Sequence, residues 1–137
     1  MPVQCPVCAN ETNCGSASYT DNGNGTETSS CCSLVWQQAT DPGTFSETDA
    51  KAYCAGLSLA GATWRVPTIA ELKSLVVLGS SPTIDTVAFP NAPSEKFWSA
   101  SKEPGGASNA WAINFADGIP FTTSFDIRYK YHVRCVH

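Results

Sequence analysis

The sequence is poor in charged residues and has no long apolar segment. Only 15% of the 137 residues are charged, and residues 1–50 contain no lysine or arginine. A charge content this low excludes a coiled coil or a charged helical bundle, and no apolar run approaches the roughly 20 residues that span a membrane. The net charge of −4 excludes the global basic field that would attract nucleic acid. We therefore expect neither nucleic-acid binding nor insertion into a membrane.

Cysteine, in contrast, is abundant, with seven residues in the chain. So many cysteines in a short sequence are typical of disulfide-bonded proteins from an oxidising compartment, and we expect a secreted or cell-surface protein. The chain opens Met-Pro-Val-Gln-Cys, without the basic and apolar regions of a signal peptide, so this expectation depends on the cysteines. The length and the 42% hydrophobic content suit one compact domain.

Residues 1–17 have no apolar period and are predicted to form a cysteine-rich arm ahead of a domain over 18–137. Within the arm, Cys5-Pro-Val-Cys8 resembles a zinc knuckle or a redox motif. A zinc site would need a second cysteine pair at suitable spacing, and a thioredoxin-like motif needs a βαβ unit. Structural disulfides are therefore favoured over zinc.

Capping signals predict two helices in the middle of the chain. Ser46 with Asp49 begins the first, which is expected to end at Gly61. Thr68 with Glu71 forms a capping box for the second, which is expected to end near residue 79.

Short strands are predicted on both sides of these helices. Asn22-Gly-Asn-Gly25 indicates a hairpin turn, which is favoured over a calcium loop because the late glutamate of an EF-hand is missing. Residues 34–38 form a strand, and 80–96 a long loop. From Phe97 onward the apolar period is two, which predicts a terminal antiparallel meander. This order of elements predicts an α+β fold with segregated helices.

The chain resembles the Lcl C-terminal-domain family over about residues 18–137. The resemblance is carried by the following blocks, in this order: Tyr19-Thr-Asp-Asn-Gly-Asn-Gly-Thr26, Leu34-Val-Trp-Gln37, Ala52-Tyr-Cys54, Leu59-Ala-Gly61, Trp64-Arg-Val-Pro-Thr68, Glu71-Leu72, Phe89-Pro-Asn91, Phe97-Trp-Ser99, Ala110-Trp111, Asn114-Phe115, Asp117-Gly118 and Val133-Arg-Cys-Val136. The Trp-Arg-x-Pro-Thr and Val-Arg-Cys-Val blocks are the most specific of them.

The resemblance implies a C-type-lectin-like fold, with two helices packed on a twisted antiparallel sheet with long loops. It also implies a bacterial extracellular protein that adheres to glycans, or a diversified ligand-binding protein whose variation falls within about residues 97–131. It further implies that Cys54 pairs with Cys135. Both cysteines lie on predicted apolar faces, and five others remain. Because five is odd, one is expected to be free or joined to another chain.

The predicted binding site is the C-terminal meander, together with the loop 80–96. Residues 119–131 mix aromatic and short polar side chains, which is typical of adaptable binding surfaces, although ordinary strands favour the same residues. The ligand is expected to be a glycan or a protein. The candidate ligand-binding residues are Lys102, Asn109, Asn114, Phe121, Thr123, Phe125, Asp126, Arg128, Tyr129 and Tyr131.

Two further patterns in this region have competing interpretations. Arg128, Lys130, His132 and Arg134 alternate along one predicted strand face, which indicates either a patch for acidic glycans or a solvated outer face. Arg134 also belongs to the Val-Arg-Cys-Val block, so a structural role is an alternative for this residue. Glu103-Pro-Gly105 with the Asn109–Asn114 segment resembles the calcium-dependent sugar site of animal lectins. Glycine replaces an amide there, so a turn is favoured and no cofactor is expected, with calcium left as an alternative.

The catalytic motifs of hydrolases, metalloproteases and phosphate-binding enzymes are missing from the sequence. Cys135 with His137 is a weak candidate for a thiol nucleophile, because no third group orients the histidine. We expect a non-enzymatic binding module. The alternative is a structural subunit of a surface appendage or homo-oligomer, assembled through the cysteine-rich arm and an intermolecular disulfide.

Overall fold

The computed structural model of the chain describes residues 18–30, 33–104, 109–124, 126 and 128–137. The predictions for the arm 1–17 and for Phe125 lie outside these residues. The described strands are β1 (Tyr19–Asp21), β2 (Thr26–Ser29), β3 (Val35–Gln37), β4 (Lys96–Lys102), β5 (Asn109–Asn114) and β6 (Ile119–Ser124), and the helices are α1 (Glu47–Gly56) and α2 (Ile69–Lys73). The α+β prediction is therefore confirmed. No helix in the described part of the chain is long and apolar enough to cross a membrane.

The strands form two separate three-stranded antiparallel sheets, not the single twisted sheet that the family resemblance implies. The first sheet has the order β1-β2-β3 and the second β4-β5-β6. The predicted turn at 22–25 joins β1 to β2. There Asn22 donates to the hydroxyl groups of Thr26 (2.8 Å) and Thr28 (2.9 Å), so turn chemistry occupies this amide.

Both helices begin where the capping signals predict and end earlier than expected. The Ser46 hydroxyl accepts a hydrogen bond from the Asp49 backbone N–H, and Thr68 and Glu71 form the complete capping box. However, α1 ends at Gly56, before a separate 3-10 turn at Leu59–Gly61, and α2 ends at Lys73. The chain beyond α2 is irregular up to β4, so apolar residues after the helix reach the core from a loop.

The middle of the second sheet is buried on both faces. Phe97 and Trp98 are neighbours in β4 and point to opposite faces, yet they are 2% and 0% exposed. Each face has its own core. The first contains Leu34, Trp36, Leu72, Leu75, Ile84, Ala88, Phe89, Phe97, Ile113, Phe115 and Val136, and the second Ala50, Cys54, Trp64, Val66, Trp98, Ala110, Val133 and Cys135. Consequently α1 and α2 cover opposite faces of the sheet, which corrects the prediction that the helices are segregated.

The last residues do not form the predicted final strand of the meander. Residues 131–137 instead cross from the second sheet to the first and make isolated bridges, namely Phe45 with Tyr131, Phe97 with His132, and Trp36 and Arg65 with Val136. The backbone hydrogen bonds of this segment are therefore divided among four parts of the chain. Successive side chains of this segment still point in alternating directions. No regular ladder of backbone hydrogen bonds forms, however, because each part of the chain pairs with only one or two residues of the segment.

Arg134 lies in this segment and is 1% exposed. Its Nη1 donates to the carbonyl oxygens of Gln37 (2.8 Å) and Gln38 (2.9 Å), and its Nη2 donates to the Thr40 hydroxyl. The guanidinium carbon lies 4.6 Å from the ring centroid of Phe89. Burial lowers the pKa of Arg134 to about 10. Arg134 is thus a structural group, as its place in the Val-Arg-Cys-Val block allowed, and the interpretation of residues 128–134 as an exposed basic stripe is wrong at this position.

A disulfide joins Cys54 in α1 to Cys135, the pairing that the family resemblance implies. Both residues are fully buried, with Cα atoms 5.6 Å apart and a separation of 81 residues in sequence. Since Cys135 is bonded through its sulfur, it has no thiol with which to act as a nucleophile.

We expect loss of this disulfide to destabilise the fold by about 4 kcal/mol, because the cross-link closes a long loop in the unfolded chain. Urea unfolding of Cys54→Ala, Cys135→Ala and the double variant measures this free energy. If the cross-link causes the loss, the double variant equals either single variant within about 1 kcal/mol. Full additivity of the two single losses contradicts the explanation.

We expect Arg134→Met to lower the free energy of unfolding by about 2–4 kcal/mol, because the carbonyl groups of Gln37 and Gln38, at the end of β3, lose their charged donor. Arg128→Met is the matched control, since the Arg128 side chain is 80% exposed, and it should change stability by less than about 0.5 kcal/mol. Chemical denaturation of both variants tests the prediction, and equal stabilities would refute the structural role of Arg134.

Candidate functional site

One row of side chains runs across the second sheet at the start of β4. Lys96 lies opposite Asn114, and Asn114 lies opposite Ile119. Residues directly opposite each other project from the same face of a sheet, so these three side chains form a row. Lys96 is exposed and Ile119 is 58% exposed. The Asn114 side-chain oxygen accepts from the Ala116 N–H at 2.9 Å, so it helps to shape the hairpin turn beside the row.

The next row on the same face is aromatic. Trp98 lies opposite Ala112, which lies opposite Phe121. Tyr131 packs across this row, with its ring centroid 4.8 Å from that of Trp98 and 5.9 Å from that of Phe121. Trp98 is fully buried, whereas Phe121 and Tyr131 are only half-buried. The row therefore passes from core to surface as it reaches β6.

The Lys96 ammonium connects the two rows. Its Nζ lies 5.7 Å from the ring centroids of both Phe121 and Tyr131, which is within the range of cation–π attraction. Among the described residues Lys96 forms no ion pair. We name the exposed part of this face the Lys96 surface; it consists of Lys96, Asn114, Ile119, Phe121 and Tyr131.

Thr123 holds Tyr131 in this arrangement. Its hydroxyl lies 3.0 Å from the Tyr131 hydroxyl, and Thr123 itself is only 9% exposed. The structure thus brings together four of the predicted site residues, Asn114, Phe121, Thr123 and Tyr131. Of these, Thr123 positions a neighbour and presents little surface of its own.

Two other predicted site residues lie at the opposite end of β4 and β5. Lys102 lies opposite Ala110, and its Nζ is 3.9 Å from a carboxylate oxygen of Glu47. Asn109 projects from the other face of the sheet and donates to Glu103 at 2.8 Å. Neither residue belongs to the Lys96 surface.

Asp126, Arg128 and Tyr129 lie in the connection from β6 to the C-terminal segment. The Arg128 Nε lies 3.0 Å from Asp126 Oδ1, and hydrogen bonds from Arg128 lower the pKa of the Asp126 carboxyl. Tyr129 is 44% exposed. These side chains pair with each other or face solvent, and no contact joins them to the Lys96 surface among the described residues.

Sequence reasoning did not include Lys96 or Ile119 in the site. Lys96 was assigned to the end of the long loop 80–96, although it lies two residues before Trp98 and so shares its face. Ile119 directly follows the turn at Asp117-Gly118. Extending the period of two by one residue at each strand end would have found both.

The structure also bears on the remaining members of the predicted basic stripe. Lys130 is exposed, but His132 is half-buried, with its ring centroid 5.4 Å from that of Phe97. The His132 Nδ1 is buried and has no hydrogen-bond partner among the described residues. Of the four residues in the predicted basic stripe, only Arg128 and Lys130 are therefore exposed.

The residues weighed as calcium ligands are engaged with each other. The Glu103 carboxylate accepts from Asn109, and the side chains at the 22–25 turn bond to one another. In the part of the chain that the structure describes, no three His, Cys, Asp or Glu side chains are grouped as metal ligands would be.

No curated protein matches the chain at a significant level. The family model for the Lcl C-terminal domain matches residues 25–137. This range includes both helices and every described strand except β1. Because this match covers most of the sequence, the chain belongs to the Lcl C-terminal domain family.

Proposed function

We propose that this chain is a non-enzymatic module, secreted or displayed on a bacterial surface, that binds a glycan through the Lys96 surface. The observation that carries the proposal is the pair of half-buried rings, Phe121 and Tyr131, beneath one lysine ammonium. Family membership supports a surface-related role. We further propose that the two sheets and two helices represent a C-type-lectin-like fold.

The chemistry of the Lys96 surface suits a sugar. An aromatic ring offers a flat apolar face to the C–H groups of a pyranose and loses little conformational entropy when it binds. Lys96 supplies donors for hydroxyl groups or a charge for an acidic substituent. Asn114 retains an amide NH2 beside them, because its oxygen is the atom used by the turn.

The contacts around Tyr131 reduce the conformational entropy that this surface loses when a ligand binds. Tyr131 is fixed by Thr123, by Trp98 and by two backbone hydrogen bonds to Phe45 of 2.8 and 2.9 Å. A ring held in this way is preorganised, so little of the binding energy is spent on ordering it. The proposed function requires no cofactor and no chemical step.

We expect Phe121→Ala to weaken glycan binding by about 1–2 kcal/mol, roughly tenfold in Kd, because one of the two rings is lost. Lys96→Gln should weaken binding to acidic glycans more than to neutral ones. Binding of the labelled full chain to a glycan array, with calcium and with a chelator, identifies the glycan, and titration calorimetry then gives the Kd of each variant.

Lys130→Gln is the matched control, because it removes the same charge from an exposed lysine outside the surface and should leave the Kd unchanged. All variants should melt within a few degrees of the parent chain. Loss of binding with chelator would move the site to Glu103 and Asn109. If no glycan binds, the proposal fails, and a protein ligand or an appendage subunit, seen as a disulfide ladder on a non-reducing gel, takes its place.

A further inference from the structure

The turn between β1 and β2 contains two Asn-Gly pairs, Asn22-Gly23 and Asn24-Gly25, and both asparagines are exposed. In such a pair the glycine nitrogen can attack the preceding side-chain amide, because glycine has no side chain to hinder the approach. The two pairs have the same composition and lie in the same loop. A difference in their reactivity that is present only in the folded chain therefore arises from the contacts around them.

The first pair is restrained at both reacting groups. The Gly23 N–H donates to the Asp21 carboxylate at 2.8 Å. This carboxylate opposes loss of the proton from the nitrogen, because two negative charges would then be adjacent. The Asn22 amide nitrogen donates to the hydroxyl groups of Thr26 and Thr28 at 2.8 and 2.9 Å. The side-chain amide of this pair is thus held by its hydrogen bonds, and its backbone nitrogen is occupied.

The second pair lacks these restraints and has an activating contact. Among the residues that the structure describes, neither the Gly25 N–H nor the Asn24 side-chain nitrogen donates a hydrogen bond. The Thr26 hydroxyl donates to the Asn24 side-chain oxygen at 2.6 Å, so this side chain is directed towards the residues that follow it. A donor at this oxygen stabilises the negative charge that develops there during attack on the carbon. The Thr26 oxygen itself accepts from Asn22, which polarises the hydroxyl further.

We propose that Asn24 is a site of spontaneous deamidation, at which a succinimide forms with the Gly25 nitrogen and opens to aspartate or isoaspartate. The inference is independent of glycan binding at the Lys96 surface. It rests on the hydrogen bond from Thr26 to the Asn24 oxygen and on the contrast with the restrained pair two residues earlier.

The reaction requires water as its only co-reactant and involves no oxidation or reduction. Solvent hydroxide takes the proton of the Gly25 N–H, and the nitrogen lone pair attacks Cγ of Asn24 while the C=O electron pair moves to Oδ1. That pair returns as the bond from Cγ to Nδ2 breaks, and Nδ2 takes a proton from water and leaves as ammonia. Water then adds to one of the two ring carbonyls, whose bond to the ring nitrogen breaks, and the nitrogen regains a proton. The net change converts an amide and water into a carboxylic acid and ammonia.

The modification would alter the first sheet. Isoaspartate places one additional carbon in the backbone of this turn, which is closed by a 3.0 Å hydrogen bond from the Asn22 N–H to the Thr26 carbonyl. Either product also adds a carboxylate to a loop flanked by Asp21 and Glu27, which lie opposite each other in β1 and β2. Both changes oppose the pairing of these two strands.

Ageing of the full chain in water enriched in a heavy oxygen isotope, at mildly alkaline pH, tests this proposal. Each conversion replaces the amide nitrogen by oxygen from water, and mass spectrometry with electron-transfer fragmentation locates the change after reduction and digestion. We expect Asn24 to be converted severalfold faster than Asn22 in the folded chain, and both at similar rates in urea. Equal rates in the folded chain, faster conversion of Asn22, or the same preference in urea would overturn the proposal.

Three variants examine the hydrogen bonds separately. Thr26→Val should slow conversion of Asn24 severalfold, because the donor at its carbonyl oxygen is lost. Asp21→Ala should accelerate conversion of Asn22, because the following backbone N–H is released. Thr28→Val is the matched control, since it removes a hydroxyl group of the same hairpin and should leave the Asn24 rate unchanged.

Circular dichroism verifies that each variant is folded. An unchanged rate at Asn24 in folded Thr26→Val would refute the role of the hydroxyl group. If Thr26→Val does not fold, the comparison of the two pairs in the parent chain, with and without urea, decides the proposal.

Discussion

The burial of Arg134 is the interaction on which most of this structure depends. Its guanidinium donates to two carbonyl oxygens at the end of β3, while Phe89 and Phe97 of the first core lie against it. An arginine is suited to this position because its planar group stacks on rings and donates in several directions at once. The residues on either side of Arg134 are thereby fixed. Val133 and Cys135 enter the second core, and Val136 enters the first.

The candidate site depends on this interior arrangement although it lies at the surface. Tyr131 is the first residue of the C-terminal segment to reach the sheet, and its ring forms one wall of the Lys96 surface. Phe121 forms the other wall and belongs to β6, the outer strand of the second sheet. One wall is therefore carried by the segment that joins the two sheets, and the other by an edge strand of the second sheet.

Sequence patterns predicted those features that depend on neighbouring residues. The capping groups at Ser46 and Thr68 and the turn at 22–25 are local, and each is found where it was expected. The division into two sheets was not predictable in this way, since it arises from contacts between residues far apart in sequence. Arg134 shows the difficulty most clearly, because alternation with apolar residues places it on a polar face, while its partners lie almost 100 positions earlier.

The difference between local and long-range contacts also explains which residues of the candidate site could be predicted from the sequence. Phe121, Thr123 and Tyr131 were predicted from composition, and the structure joins them by a ring contact and a hydrogen bond. Lys102 and Asn109 were predicted with them but lie at the other end of the strands, because pairing register cannot be read from composition. The position of residues 131–137 also determines when the fold can be completed during biosynthesis. These residues leave the ribosome after all the strands that they join, so both cores and the Cys54–Cys135 link are completed only once they have been synthesised.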